Sequence, residues 1–169
     1  TADDIRAAAP SSGNFYSDAG DGRYKFRLVF SATGWKLFKV DMGQAFNADT
    51  IPTARGGNPS WKAFFIDAYL ELRGVVRGTV SVGAHGSNDP TATGYHCIRL
   101  IDDIRYAGSD IHGNFDSTTT NLLGIVSESD IVIGNTPANG QDNGFNVYLG
   151  DVNHSSIAIT GALVALGES

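Results

Sequence analysis

Alternating apolar and polar positions run along much of the chain and predict β-strands. The clearest case is residues 23–30, RYKFRLVF, where apolar side chains occupy every second position and Arg or Lys the positions between. Because successive side chains of a strand point to opposite faces, this period of two predicts a half-buried strand. A short turn and a second such run, residues 35–40, follow, so we predict a β-hairpin over residues 23–40.

The longest apolar run spans residues 61–82 and holds two alternating segments separated by Gly74. Residues 61–73 also fit the 3.6-residue period of a helix, but their β-branched and aromatic content favours strands. Two interpretations of Gly74 remain open: a tight turn, which makes the segments a hairpin, or a bulge in one long bent strand.

Further short apolar runs follow, separated by three long polar loops at residues 84–94, 107–120 and 135–144. Strands at this spacing are typical of sandwiches. We therefore predict an all-β fold, an antiparallel β-sandwich of jelly-roll type. Residues 1–22 are predicted to form a linker or a short helix that stops at Pro10. Residues 23–169 are predicted to form a single β-sandwich domain.

The last apolar run, IAITGALVAL at residues 157–166, is apolar on both faces. A strand buried on both faces needs cover on each of them. That cover comes either from the core of the same domain or from another subunit.

Composition excludes several classes of function. The 169-residue chain has a formal net charge of −6, and its Lys and Arg residues are scattered at strand spacing, which indicates solvated strand faces and no nucleic-acid surface. One cysteine, Cys97, leaves no internal disulfide.

No apolar run is long enough to span a membrane and no signal peptide is present, so we expect no membrane insertion. The chain begins with Thr1, so we expect it to be either processed or, the alternative we favour, excised from a longer protein.

Catalytic and metal-binding signals are weak. Asp102 and Asp103 are adjacent, so on a strand they point to opposite faces and do not form a pair. The four His residues lack metal-ligand spacing, and no GxSxG or phosphate-loop motif occurs. Asp18 and Asp21 offer oxygen ligands for Ca²⁺, but calcium-loop spacing is absent, and turn chemistry is favoured. We therefore predict a non-enzymatic protein with no cofactor and no metal.

Exposed aromatic rings beside amides and carboxylates are typical of carbohydrate binding, and the polar loops offer such groups. The candidate ligand-binding residues are Phe115, Asn114, His112, Tyr16, Asp142 and Asn143.

The segments YLELRG (residues 69–74) and SSIAITGALVALGES (residues 155–169), in an acidic, disulfide-free chain rich in Gly, Asn, Ser and Thr, carry a resemblance. In style, without a signature motif, the chain resembles the C-terminal receptor-binding and trimerisation module of a bacteriophage tail fibre or tailspike. The resemblance implies a homotrimer at the virion surface, outside the cell. It also implies binding to a bacterial surface polysaccharide or host receptor.

The predicted interface of this homotrimer includes part of residues 157–166, and the three long loops are expected to cluster at one end. Three alternatives stay open: a carbohydrate-binding module of a secreted enzyme, a structural capsid-type β-module without a ligand, and a polysaccharide-degrading or esterase domain.

Overall fold

The computed structural model describes residues 2–12, 15–17, 24–31, 34–41, 49–52, 63–85, 98–110, 112–133 and 158–166. These ranges hold one helix, α1 (Ala2–Ser12), and eleven strands. The strands are β1 (Phe15–Ser17), β2 (Tyr24–Ser31), β3 (Gly34–Asp41), β4 (Asp49–Pro52), β5 (Ala63–Asp67), β6 (Tyr69–Val76), β7 (Thr79–Ala84), β8 (Ile98–Tyr106), β9 (Leu122–Ser127), β10 (Ile131–Ile133) and β11 (Ala162–Ala165).

The strands form two sheets. Sheet A has the order β1-β5-β7-β9-β11, and sheet B has the order β10-β8-β6-β2-β3-β4. From β5 onward the chain alternates between the sheets, and neighbouring strands of this part pair in parallel. Each strand of sheet A and the following strand of sheet B therefore make one coil of a flattened parallel solenoid.

The predicted antiparallel, jelly-roll-like sandwich is wrong. Antiparallel pairing among the described strands is confined to β2–β3 and β3–β4, both in sheet B, and a helix packs on sheet A. The fold therefore combines a helix with a parallel sheet A and a mixed sheet B. A parallel pair needs a long crossover, and here a strand in the opposite sheet supplies it. Because Ala68 alone turns the chain from β5 into β6, this corner is as short as a hairpin turn. Alternation and short turns therefore fit both architectures.

The β-hairpin predicted over residues 23–40 is confirmed as β2 and β3. For residues 61–82 the strand prediction is also confirmed, and Gly74 does lie at a bulge. The one long bent strand that the bulge interpretation implied is wrong, because the chain forms three strands here, β5, β6 and β7. Gly74 lies inside β6, where the register against β8 shifts, and the chain turns later, at Arg77 and Gly78.

The hydrophobic core lies between the two sheets. Phe64 of β5 packs edge-on against Phe30 and Trp35, with ring centroids 5.9 and 5.1 Å apart. Alternate residues of each coil join it, including Ile66, Leu70, Leu72, Val80, Val82, Ile98, Leu100, Leu123 and Ile125.

The opposite face of sheet B carries buried charges. Arg27 and Glu71 are register partners on β2 and β6 and form an ion pair at 3.4 Å. Arg73 pairs with Asp102 at 3.3 Å, and both side chains are buried. The expectation that the Lys and Arg residues lie on solvated strand faces is therefore wrong for Arg27 and Arg73.

The opposite face of sheet A is covered in part by α1. Ile5 packs on Gly83, and the Arg6 guanidinium lies 4.9 Å from the centroid of the Phe65 ring. The helix continues two residues beyond Pro10, where the sequence predicted its end. In the part of the chain that the structure describes, no helix has the length and apolar character to cross a membrane.

The connections between strands lie at two edges of the solenoid. The turn at Ala68 and the start of the β7–β8 connection lie at the carboxyl edge of sheet A, where the His85 N–H donates to the Ile66 carbonyl. The β8–β9 loop lies at the amino edge, where the Leu122 N–H donates to the Gly78 carbonyl. Loops 84–94 and 107–120 therefore start from opposite edges, and residues 86–94 of the first loop lie outside the described residues. Loop 135–144 lies outside the described residues.

Candidate functional site

The loop that joins β8 to β9, residues 107–121, is organised around Asp110. Its Oδ1 accepts the backbone N–H groups of His112, at 2.8 Å, and Asn114, at 3.0 Å, while Oδ2 accepts the Asn114 side-chain amide at 3.1 Å. The backbone N–H of Asp110 donates to the Asn114 carbonyl, and Arg105 Nη1 donates to the Asp110 carbonyl. This short side chain supplies the contacts that close the loop on itself.

Two exposed carboxyl groups of the loop favour their ionised forms. The hydrogen bond from the Asn114 side chain is the main cause of a pKa of Asp110 below its ordinary value, with further backbone N–H donors helping. The hydrogen bond from the Thr118 backbone N–H likewise lowers the pKa of Asp116. Donors aimed at a carboxylate stabilise its charge. Both groups are therefore anionic at neutral pH.

Phe115 presents an aromatic face at the surface of this loop. Its side chain is 46% exposed, and its ring packs against Tyr106 with centroids 5.2 Å apart. Tyr106 is itself fixed, because its hydroxyl accepts the Leu123 N–H at 3.1 Å. Contact with a fixed ring holds Phe115 on one side and leaves apolar area open on the other, an arrangement suited to stacking on a ligand.

The loop is anchored at its end as well. Asn121 accepts the Gly78 N–H at 2.7 Å and donates to the Ala107 carbonyl at 3.1 Å. Across the loop, the Thr160 hydroxyl donates to the Gly113 carbonyl at 3.5 Å. Since Thr160 lies just before β11, the loop and the final apolar run, the two features that the sequence singled out, are in contact.

Strand β11 closes sheet A and pairs only with β9 among the described strands. Leu163, Val164 and Leu166 are 37%, 45% and 53% exposed. Leu163 lies in register with the buried Ile125, so it faces the core side, yet no further coil covers it within the described residues. The end of the solenoid therefore exposes apolar area that its earlier coils bury.

A second cluster lies at the carboxyl edge of sheet A. The His85 imidazole contacts the Glu128 carboxylate, and the His85 backbone N–H bonds the end of β5. Ser127, beside Glu128, is buried and donates to the Asp130 carbonyl at 3.0 Å. These contacts join β7, β9 and the following corner. No group of three or more His, Cys, Asp or Glu suited to a metal occurs in the described ranges.

The structure brings together three of the six predicted ligand-binding residues: Phe115, Asn114 and His112, all exposed in the β8–β9 loop. Tyr16 lies on β1, in register with Ile66 at the far side of sheet A from β11, and is not part of this site. Asp142 and Asn143 lie outside the described residues, as do Asp18 and Asp21, the residues considered for Ca²⁺.

Sequence reasoning missed Asp110, Asp116 and Tyr106. The signal for Asp110 was its position two residues before His112 and four before Asn114, the spacing at which a carboxylate caps its own turn. Compared with protein-family models, curated proteins and solved structures, the chain matches none of them.

Proposed function

We propose that the chain is a non-catalytic receptor-binding module that recognises a cell-surface glycan through the β8–β9 loop and acts as a homotrimer. The observation that carries the proposal is the pairing of an exposed ring, Phe115, with the amide of Asn114 on a loop held by Asp110. This is the setting implied by the resemblance to phage tail fibres, with bacterial surface polysaccharide as the ligand and the virion surface as the location.

The glycan half of the proposal rests on complementary chemistry. One face of a sugar ring carries C–H groups that pack on an aromatic face, while its hydroxyls need hydrogen-bond partners. Phe115 offers the first, and Asn114, His112 and the loop carboxylates offer the second. The loop is pre-ordered by its own hydrogen bonds, so less conformational entropy is lost when a ligand binds.

The assembly half rests on β11. Parallel strands are normally covered on both faces, and an open strand edge with apolar side chains is a site of association. Leu163, Val164 and Leu166 provide such an edge. Because Thr160 joins this region to the loop, assembly places the glycan loops of the copies near their contact surface.

Glycan-array screening followed by titration tests the binding half. Phe115→Ala is expected to weaken binding of the retained glycan at least tenfold, while Leu122→Ala, another exposed apolar position, leaves it unchanged. A wild-type chain that retains no glycan, or a Phe115→Ala variant that binds as wild type, contradicts the proposal.

The mass of the chain in solution separates the alternatives. A glycan-binding monomer favours a carbohydrate-binding module of a secreted enzyme, and a trimer that binds no glycan favours a structural module. Turnover of a polysaccharide by the isolated chain establishes an enzyme and overturns the non-catalytic proposal.

A further inference from the structure

We infer that the β8–β9 loop selects neutral sugars over acidic ones, with the Asn114 side-chain oxygen accepting a ligand hydroxyl while Phe115 packs on the sugar ring. This inference rests on the proposed function and specifies the class of glycan that the same site takes. It follows from the orientation of one amide and from the charges that surround it.

The amide of Asn114 has only one orientation compatible with its partner. An ionised carboxylate accepts hydrogen bonds and donates none, so the group that lies 3.1 Å from Asp110 Oδ2 has to be the Asn114 nitrogen. The amide oxygen then points away from Asp110. The exposed loop therefore presents an acceptor at this position, and a ligand meets it with a donor such as a sugar hydroxyl.

The charges of the loop also favour a neutral ligand over an acidic one. Asp110 and Asp116 are both exposed, and each accepts hydrogen bonds that favour its ionised form. Residues 107–121 contain no Lys or Arg. The neighbouring Arg105 donates to the Asp110 carbonyl and lies 3.8 Å from the Asp103 carboxylate, so its charge is already engaged. A ligand carboxylate at Phe115 would meet two like charges and an acceptor.

Pairs of sugar oligomers that have the same shape but differ in charge test this selectivity. Galactose oligomers and galacturonic acid oligomers of equal linkage and length differ at C6, where a hydroxymethyl group replaces a carboxylate, and mannose and mannuronic acid oligomers give a second pair. Each is titrated into the full chain at pH 8. Binding is followed through the NMR signals of the Phe115 ring and the Asn114 side-chain amide.

We expect the neutral member of at least one pair to shift both sets of signals, and its acidic counterpart to bind at least tenfold more weakly. Asp116→Asn removes one charge without touching Asn114, so it should reduce this discrimination severalfold while leaving neutral-sugar affinity unchanged. Asp110→Asn lets the Asn114 amide turn over and present its nitrogen, so it should both weaken neutral-sugar binding and reduce discrimination.

The outcomes are distinguishable. Acidic oligomers that shift the Phe115 and Asn114 signals as strongly as their neutral counterparts overturn the selectivity and leave glycan binding by the loop intact. Sugars that bind without shifting these signals, or a complete lack of binding, overturn the proposed function and the selectivity together.

Discussion

Gly74 and the backbone of Phe30 lie so close together that a β-carbon on Gly74 would stand 2.0 Å from the Phe30 carbonyl oxygen. They are register partners on β6 and β2, at the point where β6 also shifts its pairing with β8. Gly74 has a φ of 120°, a value that side chains rarely allow. The bulge in the middle of sheet B therefore requires glycine for two reasons: its backbone has a positive φ, and the Phe30 backbone leaves no room for a side chain.

We expect Gly74→Ala to lower the free energy of unfolding by about 3 kcal/mol or more, because the strain of the backbone adds to a contact with backbone atoms that have no freedom to move away. Urea denaturation followed by circular dichroism measures the change.

Gly78→Ala is the matched control, since Gly78 also has a positive φ, 82°, but has nothing within 4 Å of its added β-carbon. Its cost should be about 1 kcal/mol. Equal costs at the two positions would contradict the close-contact argument.

The buried Arg73–Asp102 ion pair predicts that replacing one partner destabilises the fold far more than replacing both. Asp102→Leu should lower the free energy of unfolding by about 3–5 kcal/mol, because it leaves the charge of the buried Arg73 without this carboxylate. Replacing both, as Arg73→Met with Asp102→Leu, should recover much of the loss. Denaturant titration of the single and double variants gives the coupling energy.

Asp130→Ala is the control for this cycle, because Asp130 is an exposed residue just before β10 and its replacement should change stability by less than about 0.5 kcal/mol. A double variant that loses as much stability as the sum of the two single variants would show that the two side chains do not act as a pair.

The sequence predicted much of the strand content and the β2–β3 hairpin, because alternation is set by the geometry of a single strand. It did not predict which strands are neighbours. A solenoid corner such as Ala68 and a hairpin turn leave the same short gap in the pattern, so the parallel arrangement was missed. The burial of Arg27 and Arg73 was missed for a related reason: their carboxylate partners, Glu71 and Asp102, are distant in sequence and meet them only through the pairing of strands.

The candidate site was predicted in part. Phe115, Asn114 and His112 lie within four consecutive residues and are exposed, so composition was enough to select them. The role of Asp110 depends on its hydrogen bonds, and the packing of Phe115 on Tyr106 depends on where the loop returns to β8. Neither relationship is visible in a pattern of residue types.

The two carboxylates of the β8–β9 loop predict that the hydrogen bonds of this loop depend on pH. The pKa values of Asp110 and Asp116 are lowered in the folded loop, so the stability that their hydrogen bonds contribute is present above the ordinary Asp value, about pH 4, and is lost as pH falls through the lowered values. We therefore expect the amide proton signals of Asn114 and Thr118 to move upfield below about pH 4, measured by NMR titration.

Asp110→Asn should remove the pH dependence of the Asn114 signal and keep that of Thr118, since Asp116 is unchanged. The Ser109 amide, which donates to the Tyr106 backbone carbonyl, is the internal control and should not titrate. An Asn114 signal that titrates unchanged in Asp110→Asn would show that another group governs the loop.

The exposed end of sheet A predicts the outcome of a charge substitution. If β11 forms the contact between copies of the chain, Leu163→Asp places a carboxylate in an apolar interface, where its desolvation is costly. We expect the wild-type chain to have the mass of a trimer, and the variant that of a monomer, by multi-angle light scattering at the same micromolar concentration. Because Leu163 is already 37% exposed in the single chain, this substitution should destabilise the fold far less than it destabilises the assembly.

Thr79→Asp is the control, since it adds the same charge at an exposed strand position of β7, away from β11, and should remain trimeric. A wild-type chain that is monomeric, or a Leu163→Asp variant that stays trimeric, would place the contact elsewhere or remove it.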